Sequence, residues 1–215
     1  MPANDQDDEG PTDRLVTLSD GVVAIALTLL ILSIQVPSSK GLQQNPDSVS
    51  ALWNALGSTF DGWISYLISF YVIAQFWTIH RKLFRGIRGH RGGLAGWNFV
   101  FLLTISVMPF TSALIGRYSE NPLSVIIFSC NLILANVAIH SMLTFSRHYG
   151  LLNERGETVL ASYRSVQGAI DMFFYIIAIP VALYSPDLGK LCWLGLAVSP
   201  QIGARLAKHR AAGTA

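Results

Sequence analysis

Six long apolar stretches dominate this chain, and their length more than anything else limits what it can fold into. A helix needs about 20 consecutive apolar residues to cross the hydrocarbon of a bilayer. The clearest stretch runs from Leu15 to Val36 and is stopped by Pro37. The second runs from Leu52 to Ile79 and is long for one crossing; the others are Leu94 to Ile115, Leu123 to Thr144, Val166 to Tyr184 and Leu191 to Leu206. Backbone groups in lipid are satisfied only inside helices or closed barrels. None of these segments shows the ten-residue alternation of a barrel strand, so the expected fold is all-α with six transmembrane helices.

Charge supports the same conclusion. Only 13% of the 215 residues are charged, 51% are hydrophobic, and the mean hydropathy is +0.43. Soluble domains carry about 25% charged residues, so a water-soluble globule of this length would lack the charge to hydrate its surface. That excludes an ordinary cytosolic enzyme, a disordered chain and a nucleic-acid-binding module. The formal net charge of +2 implies no acidic partner. Cys130 and Cys192 lie in apolar runs without metal-ligand or disulfide-framework spacing.

The segments between the apolar stretches read as loops: Pro37 to Gly41, the basic run Arg81 to Arg91, Glu120-Asn121-Pro122, Asn153 to Gly156, and Ser185-Pro186-Asp187. Twelve of the fifteen Lys and Arg residues fall on the side of the amino terminus, the second and fourth loops and the carboxy-terminal tail; Lys40, Arg117 and Lys190 fall on the other. The positive-inside rule then predicts both termini in the cytoplasm. Residues 1–13, acidic and without a basic n-region, read as a disordered tail that is not a cleaved signal peptide. Residues 14–207 read as one six-helix domain and 208–215 as a tail.

Asp20 lies more than one turn inside the first apolar stretch, where an ionisable group is costly and marks function or a partner. At 100° per residue, with Ile25 at zero, Leu18, Leu29, Leu32 and Val36 fall within about 40° of it and form a bulky stripe. Asp20 falls near about 220° and Ser19 near about 120°, off the stripe, with Thr28 at its edge near about 300°. Spacing alone leaves two roles for the stripe. It packs in a bundle or against lipid, as apolar helix faces ordinarily do, or it lines a pore. In the second case Asp20 points back into the protein and holds the helix in place.

Arg14-x-x-x-Leu18-Ser19-Asp20-Gly21, followed by Ala24-Ile25 and Thr28-Leu29-Leu30, resembles the signature of the lysosomal potassium channel family (transmembrane protein 175) and its prokaryotic relatives. Phe76-Trp77-x-x-His80-x-x-x-Phe84 is similar to that family's second motif. One position departs: Leu18 stands where the family has Phe, and keeps its apolar character. The resemblance implies a homotetramer in which the first helices surround a central pore. The constriction would fall on Ile25, with further apolar rings at Leu29 and Leu32 and a hydroxyl from Thr28 behind them. Arg14, Ser19, Asp20, Trp77 and His80 would form the network that packs the first two helices together. It also implies a weakly selective potassium channel subunit, conducting monovalent cations, without a cofactor, in the plasma membrane. Apolar rings gate by dewetting and select by how far ions shed water.

Other readings are set by particular residues. No Thr-Val-Gly-Tyr-Gly filter occurs, and the Arg81 to Arg91 run, interrupted by glycines, reads as a loop serving topology and anionic-lipid contact rather than a voltage sensor. His80 reads as a histidine bonded to Asp20 or Ser19, or as a proton sensor. His140 and His148 read as packing or interface residues. Asp61 reads as solvated at an outer helix end, and Asp171 as bonded to a tyrosine or serine. The alternative function is a proton-coupled secondary transporter or a proton-permeable channel, for which Pro109 and Pro180 would supply helix kinks; paired repeats of the transporter kind are not visible. A scaffold role is the bland alternative. An intramembrane enzyme is not expected, because no HExxH, GxSxG or paired-aspartate motif occurs.

Overall fold

The computed structural model describes residues 11–37, 48–89, 91–162, 168–193 and 195. Its regular elements there are helical: α1 Pro11–Leu29, extended by a 3-10 turn Leu30–Ser33; α2 Val49–Gly57; α3 Phe60–Arg85; α4 Gly92–Arg117; α5 Pro122–His148; α6 Glu154–Ser162; α7 Gly168–Tyr184; and α8 Pro186–Cys192. Four of these segments, Thr12–Ser33, α3, α4 and α5, are long and apolar enough to cross a membrane, and α7 is a shorter apolar helix. The chain is a multi-pass membrane protein. Large apolar side chains such as Leu67, Phe70, Leu103, Phe110 and Leu134 point outward from the spanning helices, a surface suited to acyl chains and not to water.

Several boundaries differ from the sequence reading, each for a local reason. The stretch Leu52 to Ile79 is two helices. The hydroxyls of Ser58 and Thr59 donate to the carbonyls of Ala55 and Leu56 at 2.6 and 2.7 Å. They thereby satisfy the end of α2, and a new helix starts at Phe60. Asp61 is exposed in the first turn of α3. That helix runs past Ile79 to Arg85, so Arg81, Lys82 and Arg85 are helical and only Arg88 and Arg91 of the basic run lie in the loop. Pro122 and Pro186 do not belong to loops but open α5 and α8 at positions where the missing N–H is no loss. Residues 154–156, read as a loop, begin α6. Asn153 caps it, its Oδ1 accepting from the Gly156 amide at 2.9 Å. Helix α1 starts at Pro11, inside the segment read as a tail. The helical stripe expected to run to Val36 also ends sooner: the backbone tightens to a 3-10 turn at Leu30–Ser33 and is extended at Ile34. The sixth stretch, Leu191 to Leu206, lies mostly outside the described residues, as do Lys40, His90, Arg164 and the 208–215 tail.

Helices α3, α4 and α5 form the centre, with α1 packed on α3 and α4 and with α7 on α5. Small residues let the backbones approach. At one end of the α3–α4 contact, a Cβ on Gly116 would lie 3.0 Å from the Cα of Gly62. One turn further in, the Ser65 hydroxyl donates to the Ser112 carbonyl at 2.6 Å. Between α4 and α5, the Asn131 amide donates to the Thr104 carbonyl at 3.0 Å. Buried Phe101, Ile105, Met108, Phe128, Leu132 and Ile139 fill the space between. Helices α4 and α7 continue through Pro109 and Pro180.

Candidate functional site

Helix α1 has two unlike faces. Leu15, Ser19, Val23, Ala26 and Leu30 recur at three- and four-residue intervals and are buried against α3 and α4. Ile25, Leu29 and Leu32 are 61%, 44% and 74% exposed. They share that open face with Thr17, Gly21 and Thr28. The 3-10 turn advances about 120° per residue instead of 100°, which moves Leu32 by some tens of degrees and leaves it beside Ile25. Val36 is lost from the stripe because it lies beyond the last helical turn, which ends at Ser33. The Thr28 hydroxyl donates to the Ile25 carbonyl at 2.8 Å, and the residue is exposed.

The buried face carries polar contacts to two neighbours. Towards α3, the indole Nε1 of Trp77 donates to Asp20 Oδ1 at 2.7 Å, and the guanidinium of Arg81 lies over the Trp77 ring, 4.7 Å from its centroid. Asp20 therefore faces the bundle and stands off the apolar stripe. Towards α4, Asn98 is central and wholly buried. Its Nδ2 donates to Ser19 Oγ at 3.0 Å, and the Ser19 hydroxyl donates in turn to the Leu15 carbonyl at 2.7 Å. With the amide so oriented, Asn98 Oδ1 can only accept, and it lies 2.8 Å from His80 Nε2. The proton of His80 is thus on Nε2. The imidazole is stacked on Phe101 with centroids 5.1 Å apart and rests against Phe84 at 4.4 Å. Its Nδ1 is buried with no hydrogen-bond partner among the described residues.

His80 thus bonds neither Asp20 nor Ser19 directly, as the sequence suggested, but reaches Ser19 through Asn98. The imidazole bonds Asn98 of α4, while the α1 carboxylate accepts from Trp77 instead. Arg14 is exposed and makes no hydrogen bond or ion pair among the described residues. The sequence reading overlooked Asn98, though a signal was present: it is a lone amide within a long apolar run, and such a group needs a partner in lipid. Elsewhere, His140 is exposed on α5 and His148 packs edge-on against Tyr149. Asp171 and Tyr175, one turn apart on α7, are both buried. No cluster of His, Cys, Asp or Glu suited to a metal occurs among the described residues.

Residues 14–109, which contain both faces of α1 and the network from α3 and α4, match the family described as endosomal/lysosomal potassium channel TMEM175. Among curated proteins, a potassium channel of Streptomyces collinus is 34% identical over 105 residues, 49% of this chain and 48% of the relative. A potassium channel of Chamaesiphon minutus is 31% identical over 115 residues, 54% of each chain. The chain thus aligns with about half the length of these relatives. In fold it is similar to the crystal structure of a TMEM175 homologue from Chamaesiphon minutus, described as a lysosomal potassium-selective channel homologue. The TM-score is 0.74 at 21% identity, covering 89% of this chain and 97% of that one. Residues 14–109, which carry the signature residues, are thus similar to the TMEM175 family, and the helices are arranged as in that solved fold.

Proposed function

We propose that this protein is a subunit of a homotetrameric channel that conducts potassium and similar monovalent cations with weak selectivity. Its narrowest point is built from the open face of α1. Ile25, Leu29 and Leu32 from each subunit form apolar rings around the symmetry axis, and Thr28 lends its hydroxyl behind them. The observation that carries this reading is the division of α1. One face is fixed by packing and by two polar contacts, whereas among the described residues the face bearing the bulky stripe stays largely exposed. A single copy of the pore helix per chain requires several subunits, and closed symmetry supplies them. The names of the bacterial relatives support the choice of ion. Apolar rings close by dewetting and open by modest widening.

Both termini lie in the cytoplasm in this reading, and the channel resides in the plasma membrane. Ser19, Asp20, Trp77 and His80, joined by Asn98, act as the fixed mount that sets the tilt and rotation of α1, and Arg14 stands outside it. Flux assays in liposomes comparing potassium, sodium and protons test the proposal. Wild type passes potassium faster than sodium, and Ile25→Asn and Leu29→Ala raise leak and blunt the preference. Unchanged currents in both variants would refute the pore assignment. Saturable uptake driven by a proton gradient would replace the channel with a transporter.

A further inference from the structure

The basic end of the bundle contains a cleft of about 480 Å³ between the start of α1 and the end of α3. Arg81 and Arg85, one turn apart on α3, line it together with Arg88 from the following loop. None of these guanidinium groups has a carboxylate within ion-pair distance among the described residues, although Asp13 and Asp20 also border the cleft. Asp20 already accepts from Trp77. Three cations thus face two acids across an open space without pairing.

Structure holds two of the three cations in place. Arg81 rests on the Trp77 ring. The loop that carries Arg88 is clamped to the segment before α6: the Arg88 amide donates to the Leu151 carbonyl and the Asn153 amide to the Gly86 carbonyl, each at 2.8 Å. Ile87 and Leu152 pair as an isolated antiparallel bridge. Gly86 permits this, since a Cβ there would overlap the Cα of Gly156. The remaining wall is apolar, formed by Val16, Phe84 and Ile87.

We propose that this cleft binds the headgroup of an anionic phospholipid, with Arg81, Arg85 and Arg88 on the phosphate and the apolar wall against the glycerol backbone. Guanidinium forks suit phosphate oxygens better than any other side chain. The cleft lies at the end of a spanning helix, where headgroups are found, and its apolar wall favours a lipid over free phosphate. Occupancy would tie α1 to α3 at the end opposite the apolar rings. The inference stands apart from the pore reading and does not need it.

Native mass spectrometry of the detergent-solubilised full chain tests it, with titrations of dioleoyl phosphatidylglycerol, dioleoyl phosphatidylcholine and inorganic phosphate. Wild type retains phosphatidylglycerol in preference to phosphatidylcholine, and inorganic phosphate does not displace it. The Arg85→Gln/Arg88→Gln double variant, both exposed positions, weakens phosphatidylglycerol binding by at least about tenfold, and Arg88→Gln alone weakens it less. Lys82→Gln and Arg91→Gln, which remove cations outside the cleft, leave it within about twofold. Equal loss in these controls, or no preference over phosphatidylcholine, would overturn the site. Displacement by inorganic phosphate would overturn the lipid assignment.

Discussion

Leu29 and Leu30 are neighbours in sequence with the same side chain, yet one is 44% exposed and the other fully buried. The contrast holds along the whole of α1. One face carries Ser19, Val23, Ala26 and Leu30, matched to α3 and α4 by small size and by hydrogen bonds. The other carries the Ile25 stripe, largely exposed among the described residues. In a membrane bundle small residues pack between helices and bulky ones turn outward, toward lipid or a neighbouring subunit. Here two of the buried positions are Ser19 and Ala26, and Ile25 and Leu32 are turned outward. The buried face is therefore built for position and the open face for what it meets beyond the subunit.

Substitutions on the two faces should separate stability from permeation. Leu30→Ala leaves a cavity against α3 and α4 and should cost about 2–5 kcal/mol, read as a large fall in melting temperature and yield. Asn98→Leu removes the link between Ser19 and His80 and strands the imidazole N–H. It should cost about 2–4 kcal/mol, and a melting temperature equal to wild type would show that the Ser19–Asn98–His80 chain does not support α1. Asp20→Ala leaves the Trp77 indole N–H unpaired and should cost about 1–3 kcal/mol. It should lower the amount of assembled protein more than the selectivity of what assembles, and a change confined to permeation would break the assignment of Asp20 to the mount. Leu29→Ala should alter thermal stability least, by about 0.5 kcal/mol or less for an exposed site. Its effect should appear instead as faster, less selective ion flux.

The same division decides what could be read from the sequence. The apolar stretches and the stripe on α1 were legible because helical period and span length are local properties. So was the position of Asp20 away from the stripe, which follows from angle alone. The partner of His80 was not legible, because Asn98 lies on another helix and the pairing depends on how α3 and α4 cross. The break at Ser58 and Thr59 was hidden by composition: both hydroxyls sit in an apolar run, and only their bonds to Ala55 and Leu56 show that a helix ends there. Helix α6 was passed over because its apolar content is low, although Asn153 followed by Glu154 and Glu157 is a helix-start pattern. The 3-10 turn at Leu30 to Ser33 was concealed by the very apolarity that marks the span.

Thiol modification at position 25 tests the central claim most directly. In a background with Cys130 and Cys192 replaced by serine, Ile25→Cys should form disulfide-linked dimers between subunits on oxidation. Potassium flux in liposomes should fall steeply when a charged methanethiosulfonate reagent is added. Flux that stays at its starting level after modification has gone to completion, with no cross-linked species, would place Ile25 against lipid and contradict the account.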